Sequence, residues 1–235
     1  MPTVIITGAS QGIGAGFVEG FLGDGYDVVA TALNVTGKLN PSARLLLVDG
    51  DISKRETAQA VVRTAADRFG AIDVLVNNAG IYRSKPFTEY TADDVNALMS
   101  VNLLGLVNIT QLTVERMLAQ KTGAVISVSA SLADHPIAGV DAAVSMMTKG
   151  GVNTITRSLA IEYAKAGLRF NAVAPGVVNT HLHEDDPKDY LMARQPMGSI
   201  AEVKDIVDAV LYLSRARQVT GQVLYVDGGA HVGRW

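Results

Sequence analysis

The sequence predicts an α/β fold in which a doubly wound parallel sheet of about seven strands has helices on both faces. Short runs of Val, Ile and Leu alternate along the chain with longer stretches of helical period, which is typical of βαβ units. Most of these short runs are apolar on successive residues, as expected for strands that are covered on both sides. No linker, repeat or change in composition interrupts the series, so we expect residues 1–235 to form one domain.

The elements follow from these patterns in chain order. Seven short runs rich in β-branched residues predict strands, and five longer stretches between them predict helices. The predicted strands are Thr3–Thr7, Asp27–Ala32, Leu45–Val48, Val74–Val76, Ala124–Val128, Arg169–Val173 and Val223–Val226. The predicted helices are Gly12–Gly23, Lys54–Arg68, Ala92–Leu118, Ala142–Ala164 and Ala201–Ser214.

Composition excludes several classes of function. The chain is 48% hydrophobic and 18% charged, which allows a large buried core. Its net charge is −3, and the sequence has no basic stretch that would bind nucleic acid or a membrane surface. It contains no cysteine, which excludes disulfides, thiolate metal sites and a cysteine nucleophile. The apolar start, Val4 to Ile6, is too short for a signal peptide or a membrane span, so we expect a cytoplasmic protein.

The first strand is followed by a glycine-rich turn and then by a helix. Gly8 allows a backbone conformation closed to other residues, and Gly12 and Gly14 lack the Cβ atoms that would keep a pyrophosphate or the strand away. The helix that begins near Gly12 would direct free N–H groups and its positive dipole end at an anion. The spacing differs from G-x-G-x-x-G. The turn alone therefore leaves a dinucleotide site and a plain glycine turn as alternatives.

Two further strand ends carry polar residues. Asp51 and Ile52 follow a strand, where Asp51 could accept a hydrogen bond from an adenine amino group or cap the helix that begins at Ser53 or Lys54; the sequence does not separate these alternatives. The run Asn77–Gly80 ends another strand with two amides, a small residue and a glycine, which lets the backbone approach a ligand closely.

Five motifs together resemble the short-chain dehydrogenase/reductase family, in its order and spacing and across essentially the whole chain. They are Thr7-Gly8-x3-Gly12-x-Gly14, Asn77-Asn78-Ala79-Gly80, Val101-Asn102 before Gly105, Pro175-Gly176-x3-Thr180 and Val226-Asp227-Gly228-Gly229. The resemblance implies a single-domain Rossmann fold that binds NAD(H) or NADP(H), acts as an oxidoreductase on a small carbonyl or alcohol, and assembles as a homodimer or homotetramer.

The resemblance also implies which residues bind the cofactor. They are Gly8, Ser10, Gln11, Gly12, Ile13 and Gly14 at the pyrophosphate, Asp51 and Ile52 at the adenine, Asn78, Ala79, Gly80 and Lys149 at the ribose, and Pro175, Gly176, Val178 and Thr180 at the nicotinamide. The second strand ends in Thr31–Asn34 with neither the acid typical of NAD enzymes nor the basic residues typical of NADP enzymes, and Lys38 is the only close basic candidate. The choice between NAD and NADP stays open.

The catalytic residues depart from the family's pattern. The family uses Ser, Asn and Tyr-x3-Lys, in which the lysine ammonium lowers the pKa of the tyrosine that transfers the proton. Asn102 and Lys149 match, but Ser145 stands four residues before the lysine, and residues 132–162 contain no tyrosine. Counting back to the serine gives Ser131 as the first candidate and Ser129 as the second.

Because an alkyl hydroxyl cannot replace a phenol as an acid, three interpretations remain. A different acid transfers the proton, with His135, Asp141 and Tyr82 as candidates. In the second interpretation, the protein binds its cofactor without turnover and acts as a sensor or subunit. In the third, it catalyses a non-redox reaction that uses Ser145 and Lys149 as nucleophile and base. Asp141, Ser145 and Lys149 share the spacing i, i+4, i+8, which predicts one helical face and an Asp–Lys pair bridged by the serine.

The segment from His181 to Asp186 contains two histidines and three acids, yet the spacing of His181 and His183 fits no zinc motif, so we predict no metal site. The segment falls where the family has its mobile substrate lid. The strand at Val223–Val226 and the following tail to Trp235 are expected at an edge that contributes to subunit contacts.

Overall fold

A computed structural model describes residues 1–193 and 195–233 of the chain. Its centre is a sheet of seven parallel strands in the order β3-β2-β1-β4-β5-β6-β7. The strands are β1 Thr3–Thr7, β2 Asp27–Ala32, β3 Leu45–Asp49, β4 Val74–Asn77, β5 Gly123–Val128, β6 Leu168–Pro175 and β7 Val223–Val226. The order reverses between β1 and β4, so the crevice at the carboxyl ends of these two strands is where such a sheet binds a ligand. The predicted fold class is confirmed. Trp235 lies outside the described residues.

Seven α-helices cover the described part of the sheet. They are α1 Gly12–Gly23, α2 Arg55–Phe69, α3 Ala92–Met99, α4 Gly105–Gln120, α5 Ala143–Glu162, α6 Lys188–Met192 and α7 Val203–Arg215. The helix predicted over Ala92–Leu118 is wrong as one regular element, because a π-helical turn at Ser100–Leu104 separates α3 from α4. α6 was not predicted. α7 begins two residues later than predicted because Ala201 is held in a bridge to Val178 and Glu202 forms the helix cap.

The two faces of the sheet carry separate hydrophobic cores. Along β1, Val4 and Ile6 pack on one face with α1 and α7, and Ile5 packs on the other with α2 and α4. All three side chains are fully buried. This two-sided burial is the physical reason why the strand runs are apolar on successive residues.

The run Ala92–Gln120 is, by length and composition alone, apolar enough to cross a membrane, with a mean hydropathy of 1.5. Half of the stretch to which this hydropathy refers is buried inside the fold. Leu98, Ile109 and Met117 are completely covered by neighbouring elements. These contacts are those of core helices packed on the sheet.

Candidate active site

The glycine turn after β1 has the close backbone contacts that its sequence predicts. Gly8 and Gly12 have φ angles of +65° and +53°, a region that favours glycine. A Cβ on Gly14 would lie 2.0 Å from the carbonyl oxygen of Gly8, and a Cβ on Gly8 would lie 2.7 Å from Cα of Ala79. α1 begins at Gly12, and the side chain of Gln11 does not cap it. The first N–H groups of the helix are therefore free for an anion, and the turn fits a pyrophosphate.

Asn78 fastens the end of β4 to this turn. Its Nδ2 donates to the carbonyl oxygens of Thr7 and Gly8 at 3.1 and 3.0 Å, while the N–H groups of Asn78 and Ala79 both donate to Thr7 Oγ1 at 3.0 Å. Asn77 points into the core instead and donates to Thr110 Oγ1 at 2.9 Å. The second amide of the motif thus positions the glycine turn and the first supports the sheet.

Asp51 and Ile52 lie at the turn between β3 and α2. Oδ1 of Asp51 accepts the N–H of Ser53 at 2.9 Å, while the N-cap position of α2 is occupied by Lys54. The prediction that Asp51 could be the N-cap is therefore wrong, although its carboxylate does stabilise the turn before the helix. Ile52 packs against Gly105, where a Cβ would lie 2.8 Å from its Cγ2.

Asp49, which the sequence did not single out, organises the segment after β2. Its carboxylate accepts a hydrogen bond from the hydroxyl of Thr36 and from the N–H groups of Thr36 and Val35. The bond from the Thr36 hydroxyl, followed by that from its N–H, lowers the pKa of Asp49 below its usual value. An acid therefore does stand near the end of β2, but it comes from β3 and already has three hydrogen-bond donors.

The nicotinamide end of the predicted site follows β6. Pro175 is the last residue of the strand, and a Cβ on Gly176 would lie 2.8 Å from Cβ of Asp227. The side chain of Val178 is buried in the core, and Thr180 precedes the short helical turn His181–His183. The side chain of Val178 is thus unavailable to a ligand, and the N–H of Gly176 already donates to the carbonyl oxygen of Val226 at 3.0 Å.

Lys149 is partly buried beside β5. Its Nζ donates to the carbonyl oxygen of Val128 at 2.8 Å. A Cβ on Gly80 would lie 3.4 Å from this Nζ and 3.3 Å from Oδ1 of Asn102, so the three predicted residues do converge. Burial lowers the pKa of Lys149 to about 8, because no carboxylate among the described residues pairs with the ammonium to offset its desolvation.

Asn102 sits in the π-helical turn between α3 and α4, a distortion that is frequent at functional sites. Its Oδ1 accepts the N–H of Ile81 at 2.8 Å, and its Nδ2 donates to the carbonyl oxygen of Ile81 at 3.0 Å and to Thr148 Oγ1 at 2.9 Å. The side chain thereby fixes the backbone that follows Gly80.

Ser145 also both donates to and accepts from one backbone position, that of Arg83, two residues after Ile81. Its hydroxyl donates to the carbonyl oxygen of Arg83 at 2.8 Å and accepts the N–H of Arg83 at 3.0 Å. The side chain is buried, and its proton is directed at the carbonyl oxygen of Arg83. The hydroxyl thus has hydrogen-bond partners without any ligand. These bonds argue against its use as a nucleophile.

The predicted face of Asp141, Ser145 and Lys149 is wrong. α5 begins only at Ala143, so Asp141 precedes the helix, where its carbonyl oxygen accepts the N–H of Lys85 at 2.7 Å. Lys149 bonds to β5 and Ser145 bonds to Arg83, so the serine bridges no Asp–Lys pair.

The two serine candidates differ in what their hydroxyls do. Ser129 Oγ donates to the carbonyl oxygen of Lys149 at 3.2 Å. Ser131 is buried at the start of a short helical turn, and no described residue hydrogen-bonds its hydroxyl. Ser131 is therefore the serine whose hydroxyl is available to a substrate.

His135 lies on the β7 side of the same loop. Its ring packs at 5.4 Å from that of Tyr225 and 5.6 Å from that of His231. The neighbouring Asp134 accepts hydrogen bonds from Tyr225 OH at 2.7 Å and from Asn153 Nδ2 at 2.8 Å. His135 is therefore packed against two other rings, and among the described residues it does not contact Lys149.

The segment after β4 carries a charged cluster that the sequence did not reveal. Arg83 and Lys85 both form ion pairs with Asp94 of α3. The hydrogen bond from Lys85, with others from Thr91 and Arg83, holds the pKa of Asp94 well below its usual range. The cluster adds side-chain anchors to a segment whose backbone is already held by Asn102 and Ser145.

The acids and histidines of the segment from His181 to Asp186 do not converge on a metal-binding set within the described residues. His183 Nδ1 pairs with Asp186 Oδ2 at 2.8 Å. His181 lies instead against the glycine turn, a placement that its spacing in the sequence could not show.

A glycine turn at the switch point of a doubly wound parallel sheet, with strand-end residues converging beside it, defines a dinucleotide-binding Rossmann protein. Residues 8–231 match the sequence model of the family described as Enoyl-(Acyl carrier protein) reductase. A tropinone reductase homolog from Arabidopsis thaliana is 35% identical over 98% of this chain and 91% of its own length. An L-rhamnose 1-dehydrogenase (NAD(P)(+)) from Sphingomonas sp. (strain SKA58) is 33% identical over 98% of this chain and 96% of its own length.

Among solved structures, ElxO with NADP bound superimposes with a TM-score of 0.92 at 26% identity, covering 99% of each chain. The chain therefore belongs to the short-chain dehydrogenase/reductase family, as its motifs predicted. The names of these relatives confirm NAD or NADP as the cofactor at the level of the family.

Proposed function

We propose that this protein binds NAD or NADP and transfers a hydride between the nicotinamide and a small carbonyl or alcohol. The observation that carries the proposal is the glycine turn, locked to Asn78, at the same crevice as Lys149 and Asn102. The cofactor supplies or accepts the hydride, and the protein supplies or accepts the proton. The similarity of this chain to an L-rhamnose 1-dehydrogenase (NAD(P)(+)) and to ElxO with NADP bound supports the same class of reaction.

The binding residues are those that the family's motifs select. The free N–H groups at the start of α1 would hold the pyrophosphate, and Asp51 and Ile52 would flank the adenine. Lys149 and Asn78–Gly80 would meet the ribose, and the backbone of Pro175–Thr180 would meet the nicotinamide amide. Ser131 would polarise the substrate oxygen with its unpaired hydroxyl.

We assign Ser145 to the position that the family gives to its tyrosine, and Tyr82 to the role of proton donor. Tyr82 lies between Ile81, which is fixed by Asn102, and Arg83, which is fixed by Ser145. Its backbone is thus pinned on both sides, two residues after the glycine that faces Lys149, and its ring is partly exposed. Of the other two candidates, His135 packs against the rings of Tyr225 and His231, and the contact of Asp141 is made by its backbone carbonyl, which accepts the N–H of Lys85.

The proposal is tested by cofactor binding and then by turnover. Calorimetry with NAD⁺, NADH, NADP⁺ and NADPH should detect at least one form and should reveal the preference between NAD and NADP. Nicotinamide absorbance is then followed across a panel of ketones, aldehydes, quinones and alcohols. Tyr82→Phe should lower turnover by about 10²-fold or more, the contribution of one general acid, without changing cofactor affinity. The matched control is Tyr212→Phe, an exposed phenol on α7 that should change neither.

A second function, cofactor binding without turnover, is favoured by one observation. Both hydrogen-bonding capacities of Ser145 are satisfied by Arg83, so the backbone fills the position where a phenol would stand beside Lys149. A protein that binds a dinucleotide tightly but is silent across the whole panel would support this sensor or subunit role. Absence of binding by every cofactor form would contradict both functions.

A further inference from the structure

His181 lies against the glycine turn, although it follows β6 and is distant from that turn in sequence. Its Cε1 and Nδ1 are 3.7 and 3.8 Å from the point where a Cβ on Gly12 would lie. Gly12 is the first residue of α1, so the imidazole stands at the end of the helix where N–H groups are unpaired. The side chain is exposed, and the methyl group of Thr180 lies on the same side of Gly12.

The charges around this imidazole leave it free to pair with an anion. The glycine turn, residues 8–14, contains no titratable side chain. On its own segment, His183 pairs with Asp186, and Glu184 bonds to His181 through the backbone, where its N–H donates to the carbonyl oxygen of His181 at 3.4 Å. No described carboxylate hydrogen-bonds or ion-pairs the ring. A protonated His181 would therefore add a cation to a site that already favours negative charge.

We propose that His181, in its protonated form, binds the pyrophosphate of the dinucleotide and makes cofactor affinity dependent on pH. This inference rests on the proposed cofactor binding but not on turnover. An imidazole is the side chain whose charge changes most readily between acidic and neutral pH, whereas the pyrophosphate diester keeps its charge throughout that range. Affinity should consequently be higher at acidic pH and should fall as the ring loses its proton.

The test uses ADP-ribose, which carries the pyrophosphate but no nicotinamide, and adenosine, which carries neither. NADP is avoided because its phosphomonoester itself titrates near pH 6. Calorimetric dissociation constants of the full-length protein are measured from pH 5.5 to 8.5. ADP-ribose should bind about tenfold more tightly at pH 5.5 than at pH 8.5, the scale of one charge-assisted hydrogen bond, and adenosine should show no such change.

Three variants isolate the residue. His181→Ala should abolish the pH dependence, and His181→Lys should bind ADP-ribose tightly across the whole range because its charge persists. His183→Ala, two residues away and paired with Asp186, should behave as the wild type. An unchanged pH dependence in His181→Ala, or a flat wild-type profile with ADP-ribose bound, would overturn the inference alone. A wild type that binds neither ADP-ribose nor any cofactor at any pH would overturn the proposed function as well.

Discussion

At the scale of single residues, the desolvation of the Lys149 ammonium opposes folding. The pKa of its ammonium falls from 10.5 to about 8 because burial removes water without supplying a carboxylate. Below pH 8 the lysine is charged in both the folded and the unfolded state, so the whole penalty opposes folding. Between pH 8 and 10.5 the unfolded chain binds more protons, and folding stability from this residue therefore rises with pH.

Lys149→Met should accordingly show a stability advantage that shrinks as pH rises. Relative to wild type, its free energy of unfolding should decrease by up to about 3 kcal/mol between pH 7.5 and 10.5, at 1.36 kcal/mol for each pKa unit. Urea unfolding at the two pH values measures this difference. Lys204→Met, at an exposed lysine of α7, is the control and should give the same difference at both. If Lys149→Met also gave equal differences, the ammonium would not be desolvated as the structure shows. The variant should also bind NAD(P) more weakly.

The same scale explains which site residues the sequence could predict. Gly8, Gly12, Gly14, Asn102 and Lys149 were identified because their motifs have fixed spacing, and the structure places the glycines in one turn and brings Asn102 and Lys149 together at Gly80. The sequence suggests His181 only as a metal ligand, and its place against Gly12 depends on how the segment after β6 folds back to the start of α1. No local spacing encodes that long-range contact.

At the scale of elements, the segment from Ile81 to Lys85 is held by side chains from outside it. Ser145→Ala would leave the N–H of Arg83 without its partner, although the carbonyl oxygen of Arg83 would keep the bond from Tyr90 OH at 2.7 Å, and should lower stability by about 1–3 kcal/mol. Ser158→Ala, at an exposed serine of the same helix, should stay within about 0.5 kcal/mol. Thermal or urea unfolding compares the two. Equal, small effects would show that Ser145 does not anchor this segment.

Ser145→Tyr would place a phenol on α5 beside Lys149, but the space next to Ser145 already holds the backbone of Arg83. We therefore expect overpacking, a loss of about 1–3 kcal/mol in stability and no gain in reductase turnover. The measurements are unfolding and nicotinamide absorbance on an activated ketone. A stable Ser145→Tyr variant with increased turnover would mean that the segment can move aside and that the missing phenol was the only defect.

Elements were predicted well where hydrophobic pattern alone determines them. The strand runs were located to within a few residues because each is apolar on successive positions and buried on both faces. The break between α3 and α4 was not predicted, because a π-helical turn leaves the hydrophobic pattern almost unchanged while it shifts Asn102 towards Ile81. The short α6 has too few residues to show a period.

At the scale of the whole molecule, large apolar side chains are exposed near both ends of α4 and α5. Leu104 stands just before α4 and Leu118 near its end, while Met147 lies near the start of α5 and Ile161 near its end. The exposed positions between them carry polar side chains. The four side chains are therefore separate apolar groups on two helices, and a subunit contact would remove them from water.

We predict that these four side chains lie in the contact of a homodimer or homotetramer, the assembly that the family resemblance implies. A closed twofold contact would place the same patch on both subunits, so one substitution disrupts it twice. Light scattering after size exclusion should show a dimer or tetramer for wild type and a smaller species for Ile161→Glu, whose side chain is 82% exposed in the single chain. Leu33→Glu adds the same charge at another exposed apolar residue, just after β2, and should leave the assembly intact. A monomeric wild type at micromolar concentration would refute the prediction, and an Ile161→Glu variant of unchanged mass would place the contact on a different surface.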